Sequence, residues 1–178
     1  ADVDWVIEAS VAAMRAAGAT VVDVRYPKWL LDVKTEFYNA IRQPEFRAQI
    51  DDYLATLKPG FPRTHAELMK LSDTLTSPRD GHVPNEGRWT LFKAEAKSPP
   101  LTDYRYLSVR NYGLPLVRAT LEGLLAAEKL DAIVYPTSPR RPAKITDDPP
   151  PGGAAAAGGA SSATNFANLS GFPDLIVP

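Results

Sequence analysis

The last twenty residues constrain the fold of this chain more than any other stretch. A short helical segment is closed by Gly171 and Pro173 and runs into the apolar triplet Leu175-Ile176-Val177. Glycine supplies the left-handed residue that ends a helix, and proline cannot continue one. A short apolar run bounded in this way has the form of a buried strand, here cut off at its end. The chain is therefore expected to be a fragment of a longer protein.

The same alternation occurs twice upstream. From Asp2, the residues Val3, Val6, Ile7, Ala13, Met14 and Ala17 recur at helical spacing and predict one apolar stripe, with Gly18 ending the helix. Residues 20–24 then predict a strand ended by Tyr26-Pro27. Residues 130–135 predict a second strand, buried on both faces because Ala-Ile-Val-Tyr does not alternate. Helices joined this tightly to strands predict an α/β fold, a mixed β-sheet covered by helices.

Between these runs the chain, at about 30–129, is expected to be helical. Phe46, Ile50, Tyr53, Leu54 and Leu57 form a stripe after Pro44, a residue suited to a first helical turn. Thr64-His65-Ala66-Glu67 has the spacing of a capping box and predicts a helix start. Residues 72–87 read as a surface loop, and Trp89, Phe92 and Ala96 as a short helix. Thr102 is the expected N-cap of a long helix to about Lys129, facing inward through Tyr106, Val109, Val117, Leu121, Leu124 and Leu125. Pro115 should bend or break it near Gly113, since proline removes a backbone donor. Residues 149–160, low in complexity and rich in Gly and Ala, predict a mobile loop. The whole of 1–178 reads as a single segment of one domain.

Composition narrows the function. The net charge is −1, with 20 basic residues scattered among 21 acidic ones, which argues against a nucleic-acid surface. The absence of Cys removes thiolate catalysis and thiolate metal sites, and His65 and His82 alone offer little to a metal. No metal is expected. No apolar run approaches the length of about 20 residues that crosses a bilayer, so no membrane partner is expected. The chain begins without Met or a signal-like segment, and a missing N-terminal part would carry any such segment, so the compartment is left open.

The run Leu130-Asp131-Ala132-Ile133-Val134-Tyr135-Pro136-Thr137-Ser138-Pro139, with the block from Ser161 to Pro178, resembles the C-terminal part of the amidase signature family. The opening helix, the Asp51-Asp52-Tyr53-Leu54 segment and Leu101-Thr102-Asp103-Tyr104 are similar to the peptide amidase branch. The resemblance implies a parent hydrolase that cleaves the carbon–nitrogen bond of a small-molecule or peptide amide through a serine acyl-enzyme without a cofactor. It implies the family's fold, a missing N-terminal half as structural partner, and a share in the substrate pocket.

Family members resemble one another in a nucleophilic Ser, a cis-Ser and a Lys. Serine is too weak an acid to attack an amide unaided, so a neutral Lys and a bridging hydroxyl must relay its proton. This chain contains neither Gly-Ser-Ser-Ser-Gly nor Asp-Thr-Gly-Gly-Ser. No catalytic residue is assigned, and the chain alone is expected to be inactive. Gly158-Gly159-Ala160-Ser161-Ser162 looks superficially like the nucleophile segment, but Asn165 to Pro173 downstream matches a later block of the family. Ser161 and Ser162 read as helix caps or as pocket lining. Thr137 and Ser138, beyond a predicted strand end, either line the pocket or satisfy backbone groups between two prolines. Asn165 and Asn168 likewise line a site or close a turn. Lys144 lies in a polar stretch with nothing to desolvate it, and His65 and His82 have no evident Ser or Asp partner and read as surface residues. Adjacent pairs such as Asp51-Asp52 and Asp147-Asp148 diverge on a helix and cannot grip one bond.

Two other readings remain at this point. One is a segment of the family's amidotransferase A-type subunit, which releases ammonia from glutamine. The other is a non-catalytic α/β binding or scaffold protein. A sheet left incomplete by the missing half would also expose strand edges, so the isolated chain is expected to self-associate.

Overall fold

The structure, a computed structural model, describes residues 2–74, 86–138 and 164–176. The described residues form helices joined by irregular segments: α1 (Asp2–Ala16), α2 (Lys28–Ala55), α3 (His65–Thr74), α4 (Glu86–Ala96), α5 (Tyr104–Ser108), a π-helical turn (Val109–Gly113), α6 (Leu114–Glu128) and α7 (Thr164–Ser170).

The expected α/β fold with its mixed sheet is overturned, because the described residues contain no strand at all. Residues 20–24, 130–135 and 175–176 connect or follow helices without ladder partners. An extended segment becomes a strand only when a neighbour takes up its backbone N–H and C=O groups. Several apolar side chains of these runs face water instead: Val134 is 61% exposed, Leu175 84% and Ile176 70%, whereas Val21, Val24, Leu130 and Ile133 are half-buried. Val177 lies outside the described residues.

The described chain divides into two compact units. The first comprises 2–38, 113–138 and 164–176, and the second 39–74 and 86–112. The core of the first unit is aliphatic and aromatic. Leu30 of α2, Val117 and Leu121 of α6, and Phe166 and Leu169 of α7 are buried together, with Tyr26, Phe37, Tyr38, Leu114 and Phe172 packed against them. Full burial of each such side chain stabilises by about 1.5–3 kcal/mol. α6 and α7 pack closely. Arg118 secures that pair, stacking on the Phe172 ring at 4.8 Å and donating to the Ser170 carbonyl at 3.2 Å, beside the Gly171 turn. Gly171 ends α7 in the left-handed region, as its sequence position predicts.

In the second unit α3 packs on α4. Its buried groups are polar as well as apolar: His65, Glu95 and Ser98, with Leu54, Tyr106 and Val109. Thr64 caps α3 as expected, its hydroxyl accepting from the Glu67 N–H at 3.1 Å. The reciprocal half of the capping box is displaced by one residue, since the Glu67 carboxylate takes the Arg63 N–H at 2.6 Å. Residues 72–74 of the expected loop belong to α3 and 86–87 to α4, and 75–85 lie outside the described residues.

Two helical boundaries differ from expectation, and a third takes an unexpected form. Pro44 lies inside α2, sixteen residues beyond its first residue Lys28, rather than in a first turn. A buried proline costs one intrahelical bond, and packing on both sides of it outweighs that loss. The N-cap of α5 is Asp103, not Thr102. Its carboxylate accepts from the Arg105 N–H at 2.9 Å. The break expected before Pro115 takes the form of the π-helical turn, whose wider register absorbs the missing proline donor. Gly113 at its end lies so close to Phe37 that a Cβ there would sit 2.9 Å from the ring. The apolar stripe of α1 is rotated from that predicted: Val3, Ile7, Val11 and Met14 are half-buried, whereas Val6, Ala13 and Ala17 are exposed.

Candidate functional site

The described residues assigned to a site from sequence, Thr137, Ser138, Asn165 and Asn168, fall in the first unit, on the segment after α6 and on α7. Thr137 and Ser138 are exposed, and Ser138 is engaged in an interaction. Asn165 is buried in the first turn of α7, and Asn168 is exposed on the same helix. Ser161 and Ser162 lie outside the described residues, as do Lys144, His82, Asp147, Asp148 and the 149–160 loop.

A single hydrogen bond ties the two described segments together. The Tyr135 hydroxyl, two residues before Thr137, donates to Asp174 Oδ2 at 2.8 Å across 39 residues of sequence. Burial, the bond to Asp174 and the charges of Asp174 and Tyr26 push the Tyr135 phenol up to about 12. It therefore stays protonated and acts as a donor, not as a base. Tyr26, whose phenol is also raised by burial, lies against Phe166 with ring centroids 4.4 Å apart. Lys34 of α2 reaches over the same Phe166 ring at 5.5 Å. Tyr26, Lys34 and Phe166 were not singled out by sequence. Tyr26 read only as the end of a strand, and Lys34 gave no periodic signal.

This region presents an amide at Asn165, hydroxyls at Thr137 and Ser138, an aromatic surface at Tyr26 and Phe166, and the Lys34 ammonium, groups that can bind and orient a ligand. The Tyr135 hydroxyl is committed as a donor to the Asp174 carboxylate.

The second unit corrects the reading of His65. This residue is buried, not on the surface. Its ring meets Phe46 and Phe92 edge-on, with centroids 5.6 and 5.5 Å away, and its Nε2 has no hydrogen-bond partner. Asp51 is beside it but accepts from the His65 backbone N–H at 2.6 Å. The bond is that of a helix start and not of a His–Asp catalytic pair, in which the carboxylate must hold the ring. Arg88 stacks on both phenyl rings, 4.9 Å from Phe46 and 4.1 Å from Phe92. Glu95, fully buried, accepts from Arg42 at 2.5 Å and from Arg88 at 3.4 Å. Ser98 donates to carbonyls of Glu95 and Gln43, and Arg47 donates to the Ser98 carbonyl. Burial and the bond from its hydroxyl to Glu45 raise the Tyr106 phenol. Each charged group is committed to a partner, so the cluster is a structural network.

Among the described residues, no group of three or more His, Asp or Glu is placed to hold a metal ion. No described helix is long and apolar enough to cross a membrane. A family model described as Amidase matches residues 1–178. No curated protein and no solved structure matches the chain.

Proposed function

The chain belongs to the amidase family, and on that premise we propose that it is a non-nucleophilic segment of an amidase-type hydrolase acting on carboxamides. The observation that carries this reading is the family match over all 178 residues, in a sequence that lacks both Gly-Ser-Ser-Ser-Gly and Asp-Thr-Gly-Gly-Ser. The serine that forms the acyl-enzyme and the lysine that activates it belong to another part of the enzyme. In this reading Thr137, Ser138 and Asn165, with Ser161 and Ser162, line part of the amide pocket. Short polar side chains of this kind hold an amide by its own N–H and C=O, the groups that an acyl-transfer enzyme must orient before attack.

The peptide amidase-like blocks suggest C-terminally amidated peptides as substrates. Asp51 and Asp103 within those blocks are helix-capping groups here, so the preference rests on the resemblance of sequence. The purified chain tests the proposal directly when treated with a fluorophosphonate probe and assayed on aliphatic, aryl and peptide amides. Neither labelling nor turnover is expected. Labelling at Ser161 or Ser162, with turnover lost on Ser161→Ala or Ser162→Ala, would overturn it. In the enzyme that carries this segment, Asn165→Ala is expected to raise KM for the amide more than it lowers kcat.

A further inference from the structure

Helix α1 carries a second face that no described residue covers. Its half-buried side is Val3, Ile7, Val11 and Met14. Among the described residues the closely packed helix pairs are α6 with α7 and α3 with α4, and α1 is in neither. At about 100° per residue, Trp5, Ala9, Ala12 and Ala16 fall within about a sixth of a turn on the opposite side. Trp5 is 71% exposed, and the three alanines are exposed as well. One end of this face is therefore bulky and the other flat. Glu8 and Arg15, seven residues apart and both exposed, lie on one flank of it, the acid toward the N-terminus and the base toward the C-terminus.

The geometry points to a second copy of this chain as the occupant of that face, docked through antiparallel pairing of α1 about a two-fold axis. Such an axis brings the same flank of the two helices together. Placed at the level of Val11 and Ala12, it sets Glu8 against the partner's Arg15, and Arg15 against the partner's Glu8. It also sets Trp5 against the flat end formed by the partner's Ala16 and Gly18, where open space surrounds the glycine. The alanines allow close approach of the two backbones, and antiparallel helices oppose their dipoles favourably. Arg15 is not held elsewhere by an acid in the fold. Among the described residues its hydrogen bond is a long contact, 3.4 Å, to the Val21 carbonyl, which an incoming carboxylate can replace. Shape and charge are thus both self-complementary in one register and one direction. A parallel pair would set Trp5 on Trp5 and would leave Glu8 and Arg15 on opposite flanks, without each other as partners.

One pair of short helices buries little area, so the dimer is weak, with Kd on the order of 100 µM. Sedimentation equilibrium of the whole chain up to about 1 mM, in low salt, tests it. A concentration-dependent monomer–dimer equilibrium is expected. Trp5→Ala should weaken it about ten-fold or more. Arg15→Glu and Glu8→Arg should each weaken it about five-fold, and the combined Glu8→Arg/Arg15→Glu chain should return to within about two-fold of the original. All three positions of change are exposed, and unchanged far-UV dichroism confirms that the helices persist. A monomer throughout the range overturns the proposal. So does a dimer that is indifferent to Trp5→Ala, as pairing through residues 20–24, 130–135 or 175–176 would produce, or a double charge reversal that fails to restore association.

Discussion

The two units of this chain solve the problem of a small core in different ways. The first buries aliphatic and aromatic side chains from α2, α6 and α7, and its charged groups, such as Arg118, stay at the edge. The second places a fully buried carboxylate and a buried imidazole at its centre, and surrounds them with arginines and phenyl rings. Apolar burial is non-directional and tolerates small errors of placement. A buried charge is stable only while its partners are in position, because the cost of desolvation is met by specific hydrogen bonds. The first unit should therefore respond to changes of volume, and the second to changes of hydrogen-bonding chemistry.

The sharpest way to break that contrast is Leu30→Ala in the first unit. Leu30 is fully buried, and removing three carbons leaves a cavity that helices cannot close, a loss of about 3 kcal/mol in urea denaturation. A loss below about 1 kcal/mol would mean that the core relaxes freely and is not close-packed. Glu95→Gln in the second unit keeps volume and removes charge. With Arg42 and Arg88 partly able to reach water, a loss of about 2 kcal/mol is expected, hardly altered by salt because the carboxylate is buried. Strong salt dependence would show that the pair is solvated.

Gly113→Ala tests the contact between the π-helical turn and Phe37. The added methyl must displace a ring that it would approach to 2.9 Å, and the better helix propensity of alanine offsets part of this, leaving a net cost of about 1 kcal/mol by thermal melting. His65→Phe should go the other way. It removes a buried nitrogen that has no partner and keeps a planar ring among Phe46 and Phe92, so stability is expected to stay level or to rise by up to about 1 kcal/mol. A clear loss would mean that water or another group satisfies Nε2.

The smallest expected effect is alkaline. The Tyr135 phenol is raised from 10 to about 12 in the folded chain, so its neutral form is the one the fold favours. Its contribution is fully present below pH 10 and is lost as pH rises through 12. Tyr135→Phe should flatten the stability profile between those values relative to the original chain, measured as the difference in urea midpoint. An unchanged slope would show that the bond to Asp174 does not persist in solution.

Much of the helical layout was legible in the sequence, because its signals act over one or two turns. Gly18 and Gly171 end helices where their positions predict, Thr64 caps α3, and Pro115 forces a change of register before α6. Pro44 misled for a related reason. Proline is compatible with a first turn, and only the burial around it reveals that the helix runs through. The candidate site was legible in part. Asn165 occupies a buried position beside the aromatic contact of Phe166 with Tyr26, but Tyr26 lies 140 residues earlier and shares no pattern with it.

The amino-acid sequence by itself determined the family, the helix ends at Gly18 and Gly171 and the absence of Gly-Ser-Ser-Ser-Gly and Asp-Thr-Gly-Gly-Ser, since these depend on residue identity at short spacing. Only the tertiary structure decided which apolar runs are buried. Residues 20–24, 130–135 and 175–177 have the composition of strands, yet a strand is defined by the hydrogen bonds of its neighbour, and composition carries no record of whether a neighbour is present. The same holds for His65 and Glu95. Their burial depends on Phe46, Phe92, Arg42 and Arg88, which approach from other turns and other helices, and no local pattern announces such a meeting.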